Sequence, residues 1–560
     1  MTDRTTPRIP PALRTRVSRR RVLRAAGAAG AGLGALALGA CDRGSSGPRP
    51  TATPTPRRGG VLRTATTLPM TYGLDPQVER GTGLAIAPRV YGYLLHVDPQ
   101  QSDALLLDHA ERIEQPDGQT TVITLRGDIR FQDVPPVSGR AVTSADVAAS
   151  IYRFRDHPFA IDKVWHATVL DAVDTPDERT LVVRTRRPYA WTLHWLGDIA
   201  GGAIYPRELV EAGADLSASG IASGPFAIEQ AAKDRVRIAR NPAYHDATLP
   251  YLDAMEWRIF ADDGAKLDAL DRREAEMAEL RDRREADEAA ARDPRIEVDA
   301  QPSLAWLSVG LRVDAPALRD GRVREALDLA LDRDAFIRDV AFGEGQVLGP
   351  VNPHLAGGFW SLPESDVRRA SSPGASADDR LGGARRLLAA VGVADLTFAL
   401  QTPARPQMID IATVVRDQLR RIGVDVRIDE LDPLAWFANF RRGAFEATLI
   451  AHAPYDSPDI PVRYYHSGGV DGSANQFGFS DAELDGLIER SWGESDRDAR
   501  RRTLLDAQRG MQRSRAMLQL FTGTQYRAAW GYVRNRRPDL LGPLAQEHAG
   551  LWLDEGAPGG

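Results

Sequence analysis

The chain has 560 residues, 71 basic and 77 acidic side chains, a net charge of −6 and a single cysteine. That length exceeds what one core organises, so two or three domains are expected. The acidic balance argues against a nucleic-acid surface, which asks for clustered positive charge, and one cysteine excludes an intrachain disulfide.

Ser18 to Arg24 is strongly basic, residues 25–40 are weakly apolar and rich in Gly, and Cys41 follows Leu38-Gly39-Ala40. This is the order of an export signal ending at a lipoprotein cleavage site, so residues 1–41 read as a signal peptide with lipobox and Cys41 as the acylated residue. The apolar run is too short to span a bilayer, which needs roughly 20 apolar residues. Arg20-Arg21 before Val22-Leu23 resembles a twin-arginine signal, and a general secretory signal fits the same residues. Residues 42–59, rich in Pro, Thr and Gly, read as a flexible tether. The first 41 residues carry eight Arg and one Asp, so without them the balance moves from −6 to −13. No long apolar run follows, and a soluble mature body is expected.

Val61 to Thr67 alternates like a strand, and Tyr72-Gly73-Leu74-Asp75-Pro76 reads as the turn after it. Ala85 to Leu95 is apolar at helical spacing. Strands are predicted over Thr120–Arg126 and Asp128–Phe131, with Ile123 and Leu125 on one face. Thr143-Ser144-Ala145-Asp146 is a capping-box pattern opening a helix with Val147, Ile151 and Phe154 on one stripe. Thr180–Arg186 alternates, as do Val236 and Ile238 against Arg235 and Arg237, and Asn241-Pro242 stops that run. Ala261 to Asp293 reads as charged, solvated helix. Arg322–Asp332 is an amphipathic helix. Ile411, Val415, Leu419 and Ile422 line another, stopped by Gly423 before a strand carrying Val424, Val426 and Ile428. Ser371–Asp379 reads as an exposed loop, and Ser480–Glu483 as a second capping box. Strands and helices alternate with short connections, which predicts α/β layers.

Several of these segments, in this order, resemble the extracellular solute-binding proteins of the peptide/nickel class (family 5) that feed ABC importers. They are Gly59–Arg63 with Leu74-Asp75-Pro76, Val90–Leu95 with Asp98-Pro99, Leu125–Phe131, Thr143–Val147, Ser223-Gly224-Pro225-Phe226, Arg240–Tyr244, Val323–Leu327 with Leu331–Arg333, and Leu419–Val426. The resemblance implies an α/β, two-lobed, periplasmic-binding-protein-like clamp with an extra inserted domain (class II, cluster C type). One discontinuous lobe would comprise 60–95, 218–302 and 520–560, the inserted domain 96–217, and the second lobe 303–519. Ser223–Phe226 would be an interlobe crossing. A solute would be buried between the lobes, with no cofactor, and delivered to ABC permease and ATPase subunits by a monomer held to the outer face of the cytoplasmic membrane by lipid.

A cleft of this kind wants aromatic walls and a few placed polar groups. The candidates are Tyr72, Trp306, Trp360, Trp436, Tyr455 and Asp456. Tyr455 lies in Ala451–Asp459, the segment that lines the cleft in the resembled family. Peptide-binding members carry an Asp there that pairs with the ligand amine, whereas this chain has Pro454, with Asp456 or Asp459 as substitutes if the loop is shifted. Peptides, nickel chelates, sugars and opines all remain open as solutes. His452 and His466 read as ordinary polar histidines and Asp471–Asn475 as a turn, so no metal is expected. G-x-S-x-G, H-E-x-x-H and G-x-x-x-x-G-K-[ST] are all missing from the sequence, so an enzyme is not expected. The alternatives are a cell-surface sensing or adhesion lipoprotein on the same clamp, and a secreted hydrolase.

Overall fold

The protein is described by a computed structural model over residues 55–70, 73–78, 82–98, 104–158, 160, 163–217, 220–371, 376–392, 395–452, 455, 457–469, 474–536 and 549–557. Three larger sheets organise these residues. The first has seven strands in the order Ile296–Pro302, Thr524–Trp530, Met277–Leu280, Val61–Thr66, Ala254–Ile259, Arg235–Arg240, Phe226–Ala231. Val61–Thr66 runs parallel to both neighbours, and the outer pairings are antiparallel. The second has five strands: Asp425–Leu431, Thr397–Pro403, Ala447–His452, Trp306–Leu311 and Met517–Gln519. The third is an antiparallel sheet of Ala110–Glu114, Thr120–Leu125, Thr180–Thr185 and Leu170–Asp174.

Local chemistry explains most boundaries. Arg235–Arg240 buries Val236 and Ile238, so alternation sets its inward face, whereas Val61–Thr66, central in its sheet, buries Leu62 on one face and Ala65 on the other. The helix Ser144–Asp156 opens at Thr143, whose backbone N–H donates to the Asp146 carboxylate at 2.8 Å, and its stripe of Val147, Ile151 and Phe154 is buried. The helix Pro406–Arg420 buries Ile411, Val415 and Leu419, and the chain reverses at Gly423, whose φ of +83° suits glycine.

Six sequence expectations need correction. The helix expected over Ala85 to Leu95 is Thr82–Val90, and Leu95 opens the strand Leu95–Asp98. Residues 261–293 are not one helical stretch. Helices Asp263–Asp271 and Arg283–Arg292 flank the strand Met277–Leu280, which pairs with Val61–Thr66 and Thr524–Trp530. Its preceding Glu276 is buried against Arg63 at 2.6 Å, so a charge read as solvated is an internal ion pair. Asp128–Phe131 forms only an isolated bridge, Arg130 to Ala141, because no neighbouring strand offers it a ladder. The second capping position is Asp481, not Ser480, with its carboxylate accepting the Glu483 and Leu484 N–H groups. Part of the expected 371–379 loop is helix, since Ser376 and Asp379 form a capping box on Ala377–Ala390. Finally, Ser223–Phe226 returns the chain from the four-stranded sheet to the seven-stranded one rather than crossing between the two larger sheets.

The crossings between the two larger sheets are at Pro302–Trp306 and Gln519–Thr524. They are tied together by side chains. Thr522 Oγ1 lies 2.7 Å from the Ser303 carbonyl and 3.0 Å from that of Ala305, and Asn352 Nδ2 donates to the same two carbonyls at 3.1 Å each. One apolar core lies under the seven-stranded sheet around Leu62, Phe226 and Trp257. A second lies on one side of the five-stranded sheet around Leu327, Leu400 and Ile411. A third runs continuously from the four-stranded sheet into the other side of the five-stranded region, joining Phe131, Trp165 and Trp191 to Trp306, Trp360 and Tyr455.

Candidate functional site

That third core places two groups of aromatic residues against each other. Residues 164–195 lie in and after the four-stranded sheet, and residues 459–492 follow the strand Ala447–His452 of the five-stranded one. Between them is a cavity of about 330 Å³, within the range of small-ligand pockets. Its walls include Trp165, Trp195, Trp492 and Tyr189, with Asp459 at its base.

Asp459 begins the short helix Asp459–Arg463 and is almost fully buried. A buried carboxylate is costly unless its lone pairs are occupied. Here the Trp492 indole N–H donates to Oδ1 at 2.6 Å, and the Trp195 indole N–H donates to Oδ2 at 3.3 Å. The Tyr189 hydroxyl donates to Oδ2 as well. Burial, then the Asp459 charge, hold the Tyr189 hydroxyl well above the usual phenol range, which keeps it a donor. The carboxylate is therefore already satisfied by three donors of the protein itself.

The rim is cationic. Arg187 stacks 4.5 Å from the Trp492 ring centre, and deeper in, buried Arg463 lies 4.8 Å from that of Trp195. Arg186 also lines the cavity. Arg187 and Arg186 have carboxylate neighbours in Glu489 at 3.9 Å and Asp171 at 4.0 Å, but both pairs are about half exposed and at the limit of contact. Pairs of that kind contribute about 0–1 kcal/mol and leave the guanidinium groups available. His466 faces Glu489 at 3.3 Å and stacks on Trp492.

The residues picked out by sequence fall in several places. Tyr72, Asp456 and Cys41 lie outside the described residues, as do Pro454, most of the Asp471–Asn475 turn and the His452 side chain. Tyr455 and Trp306 come together beside the crossing strands: the rings are 6.4 Å apart, and the Tyr455 hydroxyl accepts the Asn352 N–H at 2.7 Å. Trp360 is buried 5.1 Å from Trp191, which follows the four-stranded sheet in the chain. Trp436 stands apart, half-buried, donating from its indole to Thr448 Oγ1 at 3.0 Å. Sequence reasoning missed Tyr189, Trp195, Trp492, Arg187 and Arg463. The run Pro188-Tyr189-Ala190-Trp191-Thr192-Leu193-His194-Trp195 was the available signal, since three large aromatics in seven residues exceed what a surface helix needs.

Asp108, His109 and Ser223 line up where the four-stranded sheet meets the seven-stranded one. Ser223 Oγ is 2.7 Å from His109 Nε2, and Asp108 is 3.3 Å from His109 Nδ1. All three are buried, and a Cβ on Gly92 would sit 2.6 Å from the Ser223 hydroxyl. A nucleophile needs room for a substrate atom about 3 Å away, and the Gly92 backbone occupies that approach. The trio therefore packs the junction. Among the described residues, no three His, Cys, Asp or Glu side chains gather as a metal site.

The family model for bacterial extracellular solute-binding proteins, family 5 Middle, matches residues 106–474. The glutathione-binding protein GsiB of Salmonella typhi is 26% identical over 287 residues, covering 50% of this chain and 54% of that protein. The chain thus spans about half the length of the curated relatives it matches. The structure of the periplasmic binding protein DppA from Helicobacter pylori, in complex with the peptide STSA, superposes with a TM-score of 0.77 at 18% identity, over 89% of this chain and 99% of that one. The binding protein AgaA from A. tumefaciens R10, in complex with agropinic acid, gives 0.76 at 19% identity, over 89% and 99%. At that identity the likenesses establish the two-lobed fold.

Proposed function

Because the chain belongs to family 5 of the bacterial extracellular solute-binding proteins, we propose that it captures a small solute bearing a carboxylate or similar anionic group and presents it to an ABC-type permease. The solute would lie in the cavity between the inserted domain, 96–217, carried by a lobe of residues 60–95, 218–302 and 520–560, and a second lobe of 303–519. The tied crossings at 302–306 and 519–524 are suited to act as the hinge of such a clamp. Acylation of Cys41 would keep the clamp beside its permease.

One observation carries the charge preference: Asp459, the described carboxylate of the expected ligand segment, is saturated by Tyr189, Trp195 and Trp492, while Arg186, Arg187 and Arg463 surround the cavity above it. A ligand ammonium would meet cations and an occupied acceptor. A ligand carboxylate would meet the half-exposed guanidinium groups of Arg186 and Arg187. Among the relatives' names, agropinic acid is in keeping with this, while glutathione and the peptide STSA carry an amine beside their carboxylates.

The test is mass spectrometry of small molecules released on denaturing the protein purified from its own host, followed by calorimetry with the compound identified. An acidic solute is expected, with affinity falling about tenfold or more in Arg187→Gln, the loss typical of one charge-assisted hydrogen bond. A neutral sugar, or a ligand whose affinity ignores Arg187→Gln, rejects the anionic preference.

A further inference from the structure

On the outer face of the seven-stranded sheet a second cavity, of about 520 Å³, lies between the strands and the segments 57–61 and 553–557. Six of its thirteen lining residues are arginine, in a chain where 71 of 560 residues are basic and the net charge is negative. Register puts them together. Arg63 and Arg237 are both partners of Glu256 across adjacent strands, and Arg235 is the partner of Arg258. Alternation turns Leu62, Val236 and Trp257 into the core on the opposite face.

The carboxylates at hand do not match this charge. Buried Glu256 accepts from Arg235 at 2.5 Å and Arg258 at 2.7 Å, and Arg237 approaches it at 3.7 Å. Arg237, Arg63 and Arg57 have partners of their own in Glu229, Glu276 and Glu555. Asp554 is engaged by Arg534. That leaves Arg235 and Arg258 sharing one carboxylate. Arg58 donates to the backbone carbonyl of Ala247 and has no carboxylate partner among the described residues. The Arg235 Nε–H is buried with no hydrogen-bond partner among them.

We propose that this cavity binds a phosphate-bearing anion, held by Arg58, Arg235 and Arg258. Guanidinium forks match phosphate oxygens two at a time, and the half-buried walls strengthen each contact relative to open water. The same chemistry is offered by a free phosphate compound and by the headgroup of an anionic phospholipid. The second source is natural here because the cavity opens beside Arg57, where the folded body meets the tether.

Full-length protein carrying Cys41→Ser, so that no acyl chain contributes, separates the two sources. It is titrated with inorganic pyrophosphate by calorimetry, and sedimented with phosphatidylcholine vesicles with or without phosphatidylglycerol. Pyrophosphate binding weakened about tenfold by R235Q/R258Q, and several-fold by R58Q, identifies a free anion. Sedimentation that requires phosphatidylglycerol and is lost in the same variants identifies a headgroup. R58Q removes a contact to a backbone carbonyl only, so it stays folded even if the double variant, which strips partners from buried Glu256, does not. Binding to neither probe, or binding unchanged in R58Q, overturns the proposal. Neither result bears on the clamp reading, since no residue of the inserted domain or the five-stranded region lines this cavity.

Discussion

A single buried imidazole makes the stability of this protein depend on pH. His166 sits on a wide helical turn over Trp165–Val169, edge-on to Phe154 at 4.7 Å and Trp165 at 4.8 Å. Burial, then the charges of Arg463 and Arg155, push it down from 6.5 to about 3. Between those values the unfolded chain binds a proton that the folded chain refuses. Stability is therefore full above the unfolded value and falls as pH drops toward about 3, at most by about 1.4 kcal/mol per pH unit. Urea denaturation between about pH 4 and 6 is expected to show this slope in the wild type and to lose that part of it in His166→Phe. An identical slope in the variant would mean that the ring is hydrated or already protonated. Nothing in the sequence announces this residue: Trp165-His166-Ala167 has no periodicity that marks His166 as inward, and its burial is imposed by Phe154 and Trp195 from other elements.

At the scale of elements, legibility follows how local the determining interactions are. The Thr143 capping box and the 147/151/154 stripe are settled within four residues and one helix face, and both are present as predicted. Met277–Leu280 is a strand because Val61–Thr66 and Thr524–Trp530 lie on either side of it, and because Glu276 finds Arg63, 213 positions away. No window of sequence contains that information. The crossings are determined in the same non-local way, and their chemistry can be tested. Thr522→Val keeps the shape but removes the hydroxyl that binds the Ser303 and Ala305 carbonyls. The expected cost is about 1–2 kcal/mol. Hydrogen exchange should rise selectively at Ser303 and Leu520, whose amides pair with Gly523 and Leu307 across the crossing. Faster exchange throughout the chain would instead mean that Thr522 supports the whole fold rather than the crossings.

At the scale of the molecule, the fold was readable because its family segments are short and keep their order, whereas the cavity was not, because Tyr189 and Asp459 meet across 270 residues. The N-terminal end reverses this relation: its reading rests on contiguous residues alone. A charged segment, a short apolar run and Cys41 after Leu38-Gly39-Ala40 predict acylation. Each buried CH₂ contributes about 0.8 kcal/mol, so one acyl chain holds marginally and two hold stably. The sixteen steps from Cys41 to Arg57 could span at most about 55 Å if fully stretched, so an acylated Cys41 would hold the body close to the membrane surface. Cys41→Ser is therefore expected to move the protein from the membrane pellet to the soluble fraction without changing its affinity for solute, since the anchor and the cavity share no residue. Retention in the membrane would show that the uncleaved apolar run, or the arginine-lined cavity on the seven-stranded sheet, is sufficient to hold it. Adding R235Q/R258Q decides between these two, because only the second depends on those side chains.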